Sequence, residues 1–202
     1  MGLEFQVNEH VLIPRQDTET LVELVLSEHK EKNISLLDVC TGSGCIAISL
    51  AKLGGYTDVT ALDLSEEALK VARSNGEKLL DQPVKFIKSD MFSALNPEKQ
   101  YNVIVSNPPY IPSQVIEGLE PEVKDHEPRM ALDGEPDGLK FYRILAEEGK
   151  KYLKNGGSIY MEIGWDQAKD VTEIFEAMGF SGLRTVRDMA GNDRVVCARK
   201  EK

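Results

Sequence analysis

An apolar strand that breaks into a glycine turn and at once becomes an apolar helix sets the rhythm of this chain. Ser35 to Val39 form the strand. The segment Asp38-Val39-Cys40-Thr41-Gly42-Ser43-Gly44 makes the turn, and Ile46 to Leu53 make the helix. A second strand, Val59 to Leu62, ends in Asp63. Ser65, with Glu66 and Glu67 behind it, caps a helix running to about Leu80. The third strand is Val84 to Lys88, ending in Ser89-Asp90, and the fourth is Val103 to Ser106. These strands are apolar throughout rather than alternating, so both of their faces are buried. Strands that alternate regularly with helices are wound in parallel. The expected architecture is therefore α/β, with a mostly parallel sheet covered by helices on both faces.

Ahead of this core, Met1 to Val11 reads as an extended lead-in and Leu12-Ile13-Pro14-Arg15 as a turn. Asp17-Thr18-Glu19 can cap a helix whose Leu21, Val22, Leu24, Val25 and Leu26 pack on the sheet. The chain divides into a lead-in with its packing helix, residues 1–34, and a main domain, residues 35–202. Beyond the fourth strand, Ile111 to Glu135 is proline-rich and long for a simple connection, as a lid or substrate loop would be. A helix over Gly138 to Leu153 follows, and Asn155-Gly156-Gly157 turns into a strand from Ser158 to Ile163. A helix over Gln167 to Met178 comes next. Two strands, Leu183 to Arg187 and Arg194 to Ala198, are joined by a hairpin at Asp188 to Asp193.

Composition excludes several classes of function. A formal net charge of -10 argues against a broad duplex-binding surface. No apolar run approaches the roughly 20 residues of a membrane helix. Cys40, Cys45 and Cys197 are scattered, and the three histidines lack ligand spacing, so no metal is expected. A reduced, cytoplasmic setting fits this cysteine usage.

Gly42-Ser43-Gly44 between strand and helix permits close approach of a ligand to the backbone, and Ala47 takes the third small position of a Gly-x-Gly-x-x-Ala pattern. Asp63 ends the next strand about 20 residues on, where a carboxylate can accept both ribose hydroxyls. Its other use is to cap the helix beginning after Ser65. Asp90 ends the third strand at the same sheet edge, where its carboxylate or the backbone of Met91 and Phe92 can meet an adenine amino group. Asp38 would repel a pyrophosphate but can answer an amino-acid ammonium. No histidine or lysine is placed to serve hydride transfer. The combination favours S-adenosylmethionine over a nicotinamide dinucleotide.

The fourth strand stops at Ser106-Asn107-Pro108-Pro109-Tyr110. The second proline restrains Pro108 toward extended backbone, and the missing N–H groups leave the Pro108 carbonyl to accept a hydrogen bond. Asn107 offers an acceptor beside it, and Tyr110 a wall. A flat NH2 group held by two acceptors turns its nitrogen lone pair outward, as methyl transfer to an amide or exocyclic amine requires. A strand end simply capped by Asn and Pro is the plainer reading of the same residues.

With these pieces in place, the chain resembles the catalytic domain of the protein-(glutamine-N5) methyltransferases of peptide chain release factors, the HemK or PrmC family. The resemblance runs from about Gly2 to Lys200. It is carried by Leu12-Ile13-Pro14-Arg15 with Asp17-Thr18-Glu19, and by Asp38 through Gly44. Asn107-Pro108-Pro109-Tyr110-Ile111-Pro112, Glu127-Pro128-Arg129 and Gly191-Asn192-Asp193-Arg194-Val195 complete it. The Asn-Pro-Pro-Tyr element is shared with adenine-amino DNA and guanine-amino RNA methyltransferases, which form the alternative reading. The Pro-Arg-x-Asp-Thr-Glu element points to the glutamine enzymes.

The resemblance implies a Rossmann-like class I fold of seven strands, the last antiparallel. It implies S-adenosyl-L-methionine as donor and S-adenosyl-L-homocysteine as product. The implied reaction is methylation of the glutamine amide in a release factor's Gly-Gly-Gln tip, by a monomer that acts on neither nucleic acid nor membrane. Asp38, Thr41, Gly42, Gly44, Asp63, Asp90, Phe92 and Asn107 fall to the donor. Arg15, Asn107, Pro108, Pro109, Tyr110 and Glu162 fall to the substrate. Asn107, Pro108 and Tyr110 are the implied catalytic group. Family members usually carry a helical N-terminal docking domain, so the chain reads as an isolated catalytic domain or a truncated form. Gln16 replaces a usual proline, and Cys40 a frequent glycine. Two readings stay open for Arg15, which can bind a carboxylate or brace against Asp17 or Glu19. Two also stay open for Glu127 and Arg129, as an ion pair or as substrate contacts. The loop acids Glu117, Glu120, Glu122, Asp125 and Glu127 can steer a basic partner.

Overall fold

The structure is a computed structural model describing residues 1–124 and 126–201. Its elements in order are α1 (Thr18–Glu28), β1 (Ser35–Val39), α2 (Cys45–Gly54), β2 (Asp58–Asp63), α3 (Glu66–Leu79), β3 (Lys85–Lys88) and β4 (Tyr101–Ser106). Three single-turn helices follow, α4 (Ser113–Ile116), α5 (Pro121–Lys124) and α6 (Arg129–Leu132). The chain then forms α7 (Lys140–Tyr152), β5 (Leu153–Glu162), α8 (Ala168–Ala177), β6 (Phe180–Arg187) and β7 (Asp193–Lys200). The seven strands lie in the order β3-β2-β1-β4-β5-β7-β6. Pairings among β1 to β5 are parallel, and β7 runs antiparallel to both β5 and β6. The expected sheet is present.

Strand period sorts the core into two layers. Leu36, Val103, Val105 and Tyr160 point to the face covered by α1 and α2, where they meet Leu21, Val25, Ile46 and Leu50. Leu37, Val39, Ile104 and Met161 point to the other face, against Tyr142 and Leu145 of α7 and Phe175 of α8. All five residues of β1 are buried, which explains its continuous apolar run. Ser65 caps α3 as expected, accepting the Ala68 N–H at 3.1 Å.

Met1 to Val11 is the expected lead-in, without regular secondary structure. Its anchor is Asn75 of α3, which exchanges hydrogen bonds with the Gln6 backbone at 2.8 and 3.0 Å and also donates to the Ser43 carbonyl. Some boundaries differ from the sequence reading. Asp17 stands at the N-cap of α1 without capping it, because its carboxylate reaches Arg194 at 3.2 Å. Asn155-Gly156-Gly157 lies inside β5, where the register against β4 shifts. The hairpin before β7 closes as expected, Asp188 N–H to the Asn192 carbonyl at 2.9 Å.

The segment 111–135 returns to its own start. Ile111 donates to the Leu132 carbonyl at 3.0 Å and accepts from Gly134 at 2.9 Å. This neck is too tight for side chains. A Cβ on Gly138, whose φ is +72°, would collide with the Tyr110 carbonyl oxygen and stand 2.8 Å from Gln167 Nε2. Gly138→Ala should therefore cost about 2 kcal/mol or more, from positive-φ strain plus the clash. A lower urea midpoint at unchanged slope is the expected reading.

Candidate active site

Strand order reverses between β1 and β4, and ligands of open α/β sheets bind at the carboxyl edge of such a point. A cavity of about 270 Å³ opens there. Every strand from β1 to β4 contributes to its wall through Thr41, Asp63, Asp90 or Asn107. The lead-in adds Pro14 and Arg15, and the neck segment adds Pro128, Met130 and Ala131. Among the described residues no helix is long and apolar enough to cross a membrane, and no cluster of potential metal ligands is present.

The glycine turn is held from below and from the side. Asp38, fully buried, accepts Thr41 Oγ1 at 2.6 Å and the Ala47 N–H at 3.2 Å through Oδ2, and its Oδ1 has no hydrogen-bond partner. Burial pushes its pKa up to about 7 against these two bonds. Asp63 accepts the Gly42 N–H at 2.8 Å and the Ser65 N–H at 2.9 Å. It thus braces the turn and the start of α3 together while still lining the cavity. Burial raises its pKa, opposed by these backbone bonds. Gly42 has open space where a Cβ would stand, whereas Gly44 faces Ile48 at 2.9 Å and Ala72 at 3.1 Å. The first glycine leaves room for a ligand, and the second lets α2 approach α3. Cys40 holds a φ of 63°. A side chain there costs about 1 kcal/mol that glycine would not.

Thr41, Gly42, Asp63, Asp90, Asn107, Pro109 and Arg15 line the cavity, while Asp38, Gly44, Phe92, Pro108, Tyr110 and Glu162 are not among its lining residues. Two assignments change in consequence. The Asp38 carboxyl is buried beneath the turn and is not among the residues that line the cavity. The Phe92 ring lies in the core, stacked on Tyr152 at 5.2 Å, and Met91 takes its place in the wall. Asp90 is solvent-exposed beside Met91. Ser89, which the sequence reading passed over, shapes this corner by donating to the Met91 carbonyl at 2.7 Å and accepting the Ala94 N–H at 3.1 Å.

Asn107 and Pro109 face the cavity at the end of β4. Among the described residues no donor meets the Pro108 carbonyl, as expected for an acceptor reserved for a ligand. Gln167 fixes the backbone by donating to the Tyr110 carbonyl at 2.9 Å. Burial, with Glu162 nearby, pushes the Tyr110 phenol up to about 12, so it stays neutral. Glu162 is 1% exposed, and burial raises its pKa to about 7.

The ionic contacts also correct the reading. Arg15 pairs with Glu127 at 2.7 Å rather than with Asp17 or Glu19. Arg129 turns away from Glu127 to Glu117 at 2.8 Å and Asp133 at 3.4 Å. The Arg15–Glu127 pair joins the two segments that roof the cavity. Of the loop acids, Asp125 lies outside the described residues. Pro128, Met130 and Ala131 were missed as wall residues; their signal was an apolar patch inside an otherwise acidic loop.

This wall suits a nucleoside that carries positive charge. Asp63, Asp90 and Glu67 line it and Asp38 underlies it, with Val39, Leu62 and Met91 between them. A pyrophosphate would face carboxylates on three sides.

Comparison with known proteins agrees. The family described as the methyltransferase small domain matches residues 16–118. The fold is that of the class I methyltransferases. The chain is 45% identical to the release factor glutamine methyltransferase of Fusobacterium nucleatum over 98% of its length and 56% of that protein's. It is 42% identical to the protein of the same name from Thermodesulfovibrio yellowstonii, over 100% of its own length and 73% of the relative's. The crystal structure of a release factor-specific protein-(glutamine-N5) methyltransferase from Alicyclobacillus acidocaldarius superposes with a TM-score of 0.57 at 32% identity, covering 98% of this chain and 100% of that one. The chain belongs to the release factor glutamine methyltransferase family. It spans between about half and three quarters of the length of these two curated relatives.

The buried Asp38 gives a test of the turn's electrostatics. Its folded pKa of about 7 lies above the ordinary carboxylate value, so between about pH 4 and 7 the folded chain holds a proton that the unfolded chain has released. This carboxyl's contribution to stability therefore falls as pH rises through that window. Relative to the parent, Asp38→Asn should gain unfolding free energy from about pH 4 to 7 and level off above. Urea titrations across that range check it; parallel curves would mean that Asp38 is already ionised at the acid end.

Proposed function

We propose that this chain transfers a methyl group from S-adenosyl-L-methionine to the side-chain amide nitrogen of the glutamine in the Gly-Gly-Gln tip of a peptide chain release factor, in the cytoplasm. The observation that carries the reading is the strand end at Asn107. It sets an amide side chain and an unengaged Pro108 carbonyl at the edge of an acid-lined cavity. The family membership supports it. When bound, the donor supplies an electrophilic methyl group on a sulfonium.

Asp63 would hold the ribose hydroxyls with the lone pairs left over from Gly42 and Ser65. The Met91 and Asp90 corner would take the adenine. The Gly42 surface would pass along the ligand's backbone, and the acids would oppose its positive charge. On the substrate side, the Asn107 oxygen and the Pro108 carbonyl would accept the two N–H bonds of the target amide. An amide nitrogen is a poor nucleophile because its lone pair is delocalised. Two acceptors that strengthen as positive charge grows on the N–H group lower the barrier, and alignment supplies much of the rest. Such a transfer is direct, in line, with inversion at carbon and no covalent enzyme intermediate. Pro109 and Tyr110 would form the side of the slot, held in place by Gln167. Arg15, engaged by Glu127, would shape the cavity mouth.

The chain should place label from the donor on purified release factor, in the Gly-Gly-Gln peptide, and on neither duplex DNA nor ribosomal RNA. Asn107→Ala should lower turnover by about 100-fold, the scale on which removal of one aligned polar partner acts. Asp63→Ala should weaken donor binding by about 1 to 3 kcal/mol in calorimetry. Label on nucleic acid alone would replace this reading with an exocyclic-amine methyltransferase.

A further inference from the structure

Among the described residues, three buried carboxyl groups keep one oxygen without a hydrogen-bond partner, on Asp38, Glu127 and Glu162. Asp38 holds the glycine turn and Glu127 holds Arg15. The Glu162 carboxyl takes hydrogen bonds from the side chains of Thr18 and Asn107, and its second oxygen stays without a partner. No salt bridge reaches it among the described residues, although it is 1% exposed. An unsatisfied carboxyl in such a place costs free energy, which asks for a use.

Its position supplies one. β4 and β5 run parallel in the register Val105 to Tyr160 and Ser106 to Met161. One further step along both strands brings Asn107 beside Glu162. The face is also shared. Val103, Val105 and Tyr160 pack into the layer under α1 and α2, so the period of two directs Asn107 and Glu162 the same way. Thr18, the first residue of α1, arrives there from above. Asn107 and Thr18 line the cavity, and both side chains reach the Glu162 carboxyl.

An asparagine amide presents nearly the same shape with its oxygen or its nitrogen forward, but only the oxygen can accept a hydrogen bond. An ionised carboxylate accepts and cannot donate. We propose that Glu162 is a positioning residue: its carboxylate takes an N–H from the Asn107 side chain and thereby turns the Asn107 oxygen toward the substrate amide. The role rests on the function proposed above, since it gives Asn107 a direction that only an N–H-bearing substrate would need. A protonated Glu162 can donate instead, and Asn107 would then be free to present its NH2 group to the substrate's NH2, two donors face to face.

The groups around Glu162 make this sensitive to pH. Burial raises its pKa to about 7, assisted by the charge of Asp17. Thr18, Arg194 and Asn107 oppose the shift. Tyr110, Tyr142 and Cys45 also feel its charge and stay neutral themselves.

The test uses the whole chain, with Glu162→Gln as the variant. Glutamine keeps the shape but offers a donor as well as an acceptor. Expected are a kcat on release factor lowered about 10- to 100-fold above pH 8, a donor dissociation constant within about twofold of the parent, and an unreduced melting temperature. The parent's kcat should fall below about pH 7, and this acid limb should be missing from the variant. A variant with the parent's kcat and pH profile overturns the proposal, as does loss of donor binding in step with kcat. If the parent itself fails to methylate release factor, the functional reading falls, and the positioning role is judged without turnover. The Asn107 side-chain NH2 signals of the 15N-labelled parent should then titrate with a midpoint between about pH 6 and 8. Signals that do not move across that range end the proposal, whether or not the variant folds.

Discussion

The burial of one carboxyl under the glycine turn governs the geometry of the whole sheet edge. Asp38 is fixed by β1, takes Thr41 from the turn and Ala47 from the first turn of α2, and so sets where the helix begins. Hydrogen bonds to a charged or partly charged acceptor are worth about 1.5 to 3 kcal/mol each, well above the neutral kind. They offset part of the cost of burying the acid. A second carboxyl, Asp63, grips the same turn from β2 through Gly42, and the Thr41 N–H reaches the Leu62 carbonyl at 2.9 Å. The turn is therefore suspended between two strands. Cys40, strained at positive φ, stays there because its surroundings leave it no other conformation.

The roof of the cavity is held by different means. Exposed pairs such as Arg129 with Glu117 are screened by solvent and order the loop only weakly. Arg15 with Glu127 differs, because the Glu127 side chain is 2% exposed. Losing Arg15 would leave a buried acid without its cation, which costs far more than the pair itself contributes. The neck at Ile111, Gly134 and Gly138 closes the base of the same loop through backbone contacts. The roof is thus hinged at a rigid neck and latched at one ion pair.

Much of the fold was legible because its signals are local. Unbroken apolar runs, glycines at strand ends and Ser65 ahead of two glutamates name strands, turns and caps without tertiary knowledge. The seventh strand's insertion between β5 and β6 followed from the resemblance, not from any local pattern. Residues of the cavity wall were legible where a backbone end places them, as with Asp63, Asp90 and Asn107. They were misread where only packing decides. Nothing in the order Met91-Phe92 says which side chain turns into the core, and the Ser89 bond to the Met91 carbonyl settles it. Nothing around Asp38 says that one of its oxygens will be spent on the turn.

The Pro-Arg-x-Asp-Thr-Glu stretch shows the same limit from the other side, because its side chains mostly serve as a joint. Arg15 goes to Glu127 in the roof, Asp17 to Arg194 at the start of β7, and Glu19 to the amino terminus. Arg194 in turn holds Asp188 of the hairpin at 3.1 Å and the Ile163 carbonyl at 3.3 Å. Four segments far apart in sequence are drawn to the front of α1. Thr18 alone of this group points at the end of β5, toward Glu162. A ligand-binding role for each charged residue of the stretch is thus unnecessary to explain why they occur together. What they add is the placement of one wall, and with it the narrow space in which Asn107 and Pro108 must meet a substrate amide.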